Sequence, residues 1–177
     1  MRAHNVIIVS SGASVVAPAG ALDHLIRSIC ANKKRAILVL GPDGDEILAS
    51  CQEIENCELV FDPNYSGEFF SGLKAGLHAT HGAAIVVPLR SAKVAETALS
   101  EQKFSTVVST LEAAVEGDGT AAQCDVVCPL VTQDDAPVSR SESIFLVTQK
   151  GVQSLKNIPS QSDWETLEQV SIERIAF

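Results

Sequence analysis

The sequence predicts a three-layer α/β/α sandwich built on a mostly parallel, doubly wound sheet. Three observations lead there. Val6 to Val9, Ala36 to Leu40 and Ala83 to Val87 are short apolar runs without polar alternation, the pattern of strands covered on both faces. Amphipathic stretches separate them, and parallel neighbours need such crossovers. At 177 residues and 46% hydrophobic, the chain has the size of a single domain, 1–177, with a substantial core.

The elements follow in order. After the first strand, Ser10 to Ser14 reads as a turn and Ala21 to Asn32 as a helix, with Leu22, Leu25, Ile26 and Ile29 on one side. Beyond the Gly41-Pro42 turn, Asp43 is placed to cap a helix reaching Ile54, with Ile47, Leu48, Cys51 and Ile54 inward. The strand Leu59 to Phe61 leads into DPNYSGEFFSGLKAGL, Asp62 to Leu77. There Pro63, Asn64, Gly67 and Gly72 interrupt regular structure before a helix over Leu73 to Thr80. A loop at the carboxyl end of a strand sits where open α/β sheets place their ligands. A further helix fits Ser91 to Gln102, and Val107 to Val115 reads as either strand or helix. Asp125 to Val131 and Ser143 to Thr148 read as strands, Asp163 to Gln169 as helix, and Val170 to Ala176 as a closing strand. One antiparallel strand is expected near the sheet edge.

Composition excludes several classes. The formal charge of −9, from 22 acidic against 13 basic residues, opposes nucleic acid polymers and anionic membrane surfaces. A small nucleotide or other anionic ligand remains compatible, because backbone N–H groups at a helix start hold phosphate whatever the net charge. The five cysteines, Cys30, Cys51, Cys57, Cys124 and Cys128, are odd in number and form no CxxC pair. They read as small buried hydrophobes of a reducing compartment. No run has membrane-spanning length and the opening MRAHNVIIVSSG lacks a leader-like apolar core, so the expected location is the cytoplasm.

Ser10-Ser11-Gly12-Ala13-Ser14 offers small residues that let backbone approach phosphate, with hydroxyls to donate; a plain tight turn has the same composition. It matches neither the Walker A loop nor GxGxxG. His78 and His81 could show two nitrogens to a metal, yet no further ligand lies at suitable spacing, and solvated surface positions account for them. His24 is expected on the exposed side of the first helix. Cys124 and Cys128, four apart on an expected strand, would share a face and pack. Asp43, Asp45 and Glu46 suit a helix start, where they oppose the dipole. No Ser, His and Asp combination forms a GxSxG elbow or a triad.

With these pieces in order, the chain resembles the molybdenum cofactor nucleotidyltransferase family, the guanylyl- and cytidylyltransferases, across roughly its whole length. Val9 to Ser14 stands where the family's LAGGxS lies, and Gly20 to Ile26 resembles the start of the next helix. Asp62-Pro63-Asn64-Tyr65, Gly67, Ser71, Leu73 and Gly76-Leu77 resemble its NPxYxxGxxSSLxxGL segment, and Val86 to Arg90 its strand before PxDxP. The resemblance implies a nucleotide-diphospho-sugar transferase-like fold. It also implies a nucleotide site drawn from Ser10, Ser11, Gly12, Ser14, Asp62, Gly67, Ser71, Gly72 and Arg90.

The departures fall on the chemistry. The RMGxxK stretch is missing between Ser14 and Gly20; without a gap, its arginine and lysine fall on Val16 and Ala21. The family's magnesium-binding aspartate falls on Arg90 and the second proline of PxDxP on Ala92. Nucleotidyl transfer depends on stabilising charge that builds on the α-phosphate and pyrophosphate, and each such contact is worth roughly 10² to 10³ in rate. Arg90 could neutralise an anion directly or pair with Glu96. Asp62 could contact ribose, as the guanylyltransferases imply, or initiate a turn.

The expectation is therefore a degenerate, non-catalytic nucleotide-binding or regulatory relative, with no catalytic residue and no metal ligand assigned. Two alternatives stand beside it. One is an active transferase of GTP or CTP to a pterin acceptor, using Mg²⁺ with Asp43 or Asp62 and a reshaped Ser10 to Ser14 loop. The other is a protein-interaction module without nucleotide.

Overall fold

The computed structural model describes residues 3–10, 20–42, 44–62, 69–89, 100–117, 120–130, 132–133, 136–137, 143–159, 162 and 170–176. In chain order these form β1 (Asn5–Val9), α1 (Ala21–Ala31), β2 (Arg35–Leu40), α2 (Gly44–Ser50), β3 (Cys57–Phe61), α3 (Phe69–His78) and β4 (Ala84–Pro88). There follow α4 (Glu101–Glu116), α5 (Thr120–Gln123), β5 (Val126–Leu130), β6 (Thr132–Gln133), β7 (Ala136–Pro137), β8 (Phe145–Val147), α6 (Gln149–Lys156) and β9 (Ile172–Ala176). Seven strands make one sheet in the order β3-β2-β1-β4-β8-β5-β9, and β6 pairs with β7 in a second, two-stranded sheet.

The unbroken apolar runs are explained by what covers them. Val6 and Ile8 of β1 pack with Leu25, Ile26 and Ile29 of α1 and Phe104, Val108 and Leu111 of α4. Ile7 and Val9, facing the other way, pack with Phe69, Phe70, Leu73 and Leu77 of α3 and Val152 and Leu155 of α6. β2 and β4 divide between the two clusters in the same alternation. Each strand thus contributes to two cores, and the layers are helix, sheet, helix, as the sequence predicts.

Parallel pairing of β3, β2, β1 and β4 brings their carboxyl ends to one edge: Val9 lies opposite Val39 and Pro88, and Leu40 opposite Phe61. β1 leads through α1 to β2 on one side while β4 lies on its other, so the order reverses at β1 and β4. Such a switch point opens a crevice outside the strand ends.

Four readings need correction. The antiparallel strand is β8, and it lies inside the sheet between β4 and β5 rather than near an edge. The described stretch from β5 to β8 contains no helix, and a return without a helical crossover runs antiparallel. α2 stops at Ser50, short of Ile54, because the Gln52 and Glu53 amides donate to Asp23 Oδ1 instead of to helical carbonyls. α3 begins at Phe69, and Gly72 is a buried residue of its first turn, not an interruption. The helix expected over Ser91 to Gln102 is not continuous. Ser100 has extended φ and ψ (−114, 107) and its side chain accepts from Lys103 N, so Glu101 and Gln102 open α4, which also resolves Val107 to Val115 as helix. The cap at Asp43 and the helix over Asp163 to Gln169 lie outside the described residues.

α3 meets the sheet closely because of Gly76. A Cβ there would stand 3.0 Å from Val39 Cγ2 and overlap Ile7 Cγ2. α1 ends in a Schellman arrangement, with Lys34 N donating to Ile29 O at 3.1 Å and Lys33 N to Cys30 O at 2.9 Å. The left-handed position falls on Lys33, at φ 56, where glycine is usual.

Candidate functional site at the carboxyl edge of the sheet

Of the residues singled out for the site, Ser10, Asp62, Ser71 and Gly72 are described, while Ser11, Gly12, Ser14, Gly67 and Arg90 lie outside the described residues. The four come to the same edge by two routes. Ser10, 4% exposed at the end of β1, donates from Oγ to Val39 O at 2.7 Å. Asp62, the residue after β3, donates its backbone N–H to Leu40 O at 3.2 Å. The residues flanking β2 are therefore tied to its last two carbonyls from opposite sides. Ser71 Oγ then donates to Asp62 Oδ2 at 3.2 Å, joining the first turn of α3 to the tip of β3, and Gly72 is buried beside it. On the far side of β1, Leu89 N reaches Val9 O at 3.0 Å, so β4 ends level with the others.

This arrangement presents a half-buried carboxylate and the first turn of a ten-residue helix at the end of a parallel sheet. Chemically it can accept from ligand hydroxyls and offer helix N–H groups to an anion. Among the described residues no three of His, Cys, Asp and Glu converge as a metal site.

His78 and His81 are both exposed, and His81 falls beyond the end of α3, so they share no helical face. His24 is partly buried, with Nδ1 3.3 Å from Ser28 Oγ, rather than exposed. None of the five cysteines is in a disulfide. Cys51 and Cys128 are buried as expected, but Cys30 is exposed, and Cys57 and Cys124 are only partly covered. Cys30 lies on the solvent side of the last turn of α1, and Cys124 precedes β5 instead of sharing its face with Cys128.

Two buried carboxylates were missed by sequence reasoning. Asp23 of α1, 8% exposed, accepts from Gln52 N at 2.7 Å, Glu53 N at 2.9 Å and Cys51 Sγ at 3.2 Å, all at Oδ1. Burial pushes its pKa up, but the Glu53 amide, the Cys51 thiol, the Gln52 amide and the Arg27 charge together hold it below the usual range. The same burial, with the Asp23 carboxylate beside it, pushes the Cys51 thiol up to about 12. Asp125, 3% exposed, accepts at Oδ2 from Ser171 N and Oγ, at 3.0 and 2.7 Å, and at Oδ1 from Ser154 Oγ at 2.9 Å. Burial again opposes and the hydrogen bonds from Ser171 and Ser154 prevail, so its carboxyl is also held low. The available signal for Asp23 was its position three residues before Ile26, on the inward stripe of α1; Asp125 carried none. Asp125 precedes β5 at the amino edge, remote from Ser10 and Asp62. Both aspartates accept several hydrogen bonds from the protein itself, which makes them structural clasps.

No family model matches the sequence, and no curated protein matches it. Solved structures do. The crystal structure of a homolog of Mycobacterium tuberculosis Rv0371c, from Mycobacterium sp. strain JC1, aligns with a TM-score of 0.62 at 15% identity, over 100% of this chain and 87% of that one. Rv0371c itself, from Mycobacterium tuberculosis, gives 0.58 at 12% identity over 100% and 89%, and its manganese complex gives 0.58 at 10% over the same shares. A 4-diphosphocytidyl-2C-methyl-D-erythritol synthase from Anaerococcus prevotii gives 0.55 at 13% identity, over 99% and 89%. Likeness at this level of identity establishes architecture: the chain has a nucleotidyltransferase-like α/β fold, of the nucleotide-diphospho-sugar transferase type.

Proposed function

We propose that this chain binds a small nucleotide across the carboxyl ends of β1, β2 and β3 and is a degenerate relative of the molybdenum cofactor nucleotidyltransferases, without transfer by the family mechanism. The observation that carries the reading is the pairing of Ser10 with Val39 O and of Asp62 with Leu40 O, which holds both residues at the carboxyl ends of adjacent parallel strands. The cytidylyl group in the name of the synthase that shares this fold supports a nucleotide as ligand. The missing charges support the loss of turnover: by resemblance, the family's arginine, lysine and metal aspartate correspond to Val16, Ala21 and Arg90. Without them, charge building on a departing pyrophosphate loses the contacts that the family supplies.

Binding to the folded state must stabilise it. At a hundredfold excess over Kd, CTP or GTP should add about 2.7 kcal/mol, raising the melting temperature by roughly 5–10 °C. No rise with any nucleoside triphosphate would leave an interaction module as the better account.

A second reading is favoured by one neighbour, since Rv0371c is known in complex with manganese. A divalent cation would supply charge neutralisation on the phosphates, and Asp62 would be the described carboxylate nearest in kind to a ligand. Release of pyrophosphate from CTP or GTP with a pterin acceptor, dependent on Mg²⁺ or Mn²⁺ and lost on chelation, would establish this reading in place of the first.

A further inference from the structure

α3 and α6 cap each other. Lys74, one turn before the end of α3, donates from Nζ to Ile158 O at 2.5 Å, two residues beyond α6. Lys156, the last residue of α6, donates to Thr80 O at 3.1 Å, two residues beyond α3. His78 stands one turn after Lys74 on the same face of α3 and is exposed. Three nitrogen-bearing side chains therefore line one seam between α3 and α6, with no carboxylate paired to any of them among the described residues.

Charge counting shows what is left over. Each helix end carries roughly half a negative charge, so the two ends offset about one of the two ammonium charges. Each ammonium has used one of its three N–H groups on a carbonyl. His78 is held below its ordinary pKa, first by desolvation and then by the Lys156 and Lys74 charges, which places the imidazole within the field of both. In a chain of net charge −9, a seam with spare donors and excess positive charge is a feature that folding alone does not require.

We propose that the α3/α6 seam binds a small phosphate-type oxyanion between Lys74, His78 and Lys156. α3 runs from the carboxyl end of β3 to the amino end of β4, so its last turn lies on the opposite edge from Ser10 and Asp62. The site is thus separate from the crevice and does not depend on what the crevice binds. Lys74 and His78, one helical turn apart, with Lys156 reaching Thr80 O just beyond them, suit a compact tetrahedral anion better than an extended acidic segment. An arriving anion also favours the charged imidazole, so His78 takes up a proton as the ligand binds. The charges that face His78 are Lys74 from its own helix and Lys156 from α6.

The test is a titration of inorganic phosphate into the full chain at constant ionic strength, followed by NMR of the histidine rings. Saturable movement of the His78 signals with a rise in its pKa, while His4, His24 and His81 stay in place, is the expected result. Lys156→Gln should weaken phosphate binding by about fivefold, the worth of one exposed charge contact. Because that change also removes a cap, His78→Gln provides a second variant: it should keep the fold and leave only the pH dependence that comes from the ionisation of phosphate itself. Asp62→Asn should leave phosphate binding at the seam unchanged. Equal shifts in chloride, parallel movement of all four histidines, or binding of polyglutamate but not phosphate would each overturn the proposal.

Discussion

Asp62 and Ser71 are joined side chain to side chain, the serine Oγ donating to the aspartate Oδ2 at 3.2 Å. The bond fixes the carboxylate against the first turn of α3 rather than leaving it to rotate in solvent. Asp62→Asn should weaken nucleotide binding about tenfold, the worth of one hydrogen bond to a charged group. Ser71→Ala, which removes this one tie to the carboxylate, should cost less, about twofold to fivefold. Calorimetric titration of CTP and GTP checks both, and unchanged affinity in the Asn variant would remove Asp62 from the site.

Asp23 and Asp125 set the acid limit of stability. Both carboxyls are held below their ordinary range in the folded chain, so each contributes stability that is full above the unfolded value of about 3.9 and is lost as pH falls through the folded pKa. Urea unfolding followed from pH 7 downward should show stability falling below about pH 4, and Asp23→Asn should flatten that decline. Asp23→Ala leaves the Gln52 and Glu53 amides without their acceptor and should cost about 2–4 kcal/mol at neutral pH.

Two glycines are required by neighbours rather than by backbone angle. A Cβ on Gly151 would overlap Asp125 O, and one on Gly76 would overlap Ile7 Cγ2. The obstacle at Gly151 is backbone, whereas Ile7 and Val39 present side chains that can shift. Gly151→Ala should therefore destabilise by about 3 kcal/mol and Gly76→Ala by about 1–2, read from denaturation midpoints.

The thiols should separate by reactivity. Cys51 is buried, with its pKa pushed up to about 12, and donates to Asp23; Cys30 is exposed on α1. Timed alkylation at pH 8 with mass mapping should modify Cys30 first and leave Cys51 intact until the chain unfolds. Early modification of Cys51 would show that the α1/α2 contact opens readily.

Much of the fold was legible because its signals are local. VIIV, AILVL and AAIVV read as doubly covered strands, and Leu25, Ile26 and Ile29 mark the inward face of α1 without help from distant residues. What escaped was decided at long range. The end of α2 is set by Asp23, some thirty positions earlier in the chain. β8 has three residues and its direction follows from the slot it enters. For the candidate site, Asp62, Ser71 and Gly72 were singled out through a resemblance in the loop motif, while the hydrogen bond that joins the first two depends on how α3 meets β3.

The late arrival of β8 has a consequence for biosynthesis. On the ribosome β4 emerges with one flank paired to β1 and the other naked, a fully buried strand of the finished protein that stays uncovered until Val147 clears the exit tunnel. Translation interrupted between Pro88 and Val147 would release a chain with a long sticky border, open to pairing with its own kind. Nascent chains stalled in that window should be held by chaperones, and those completed past Val147 should be let go.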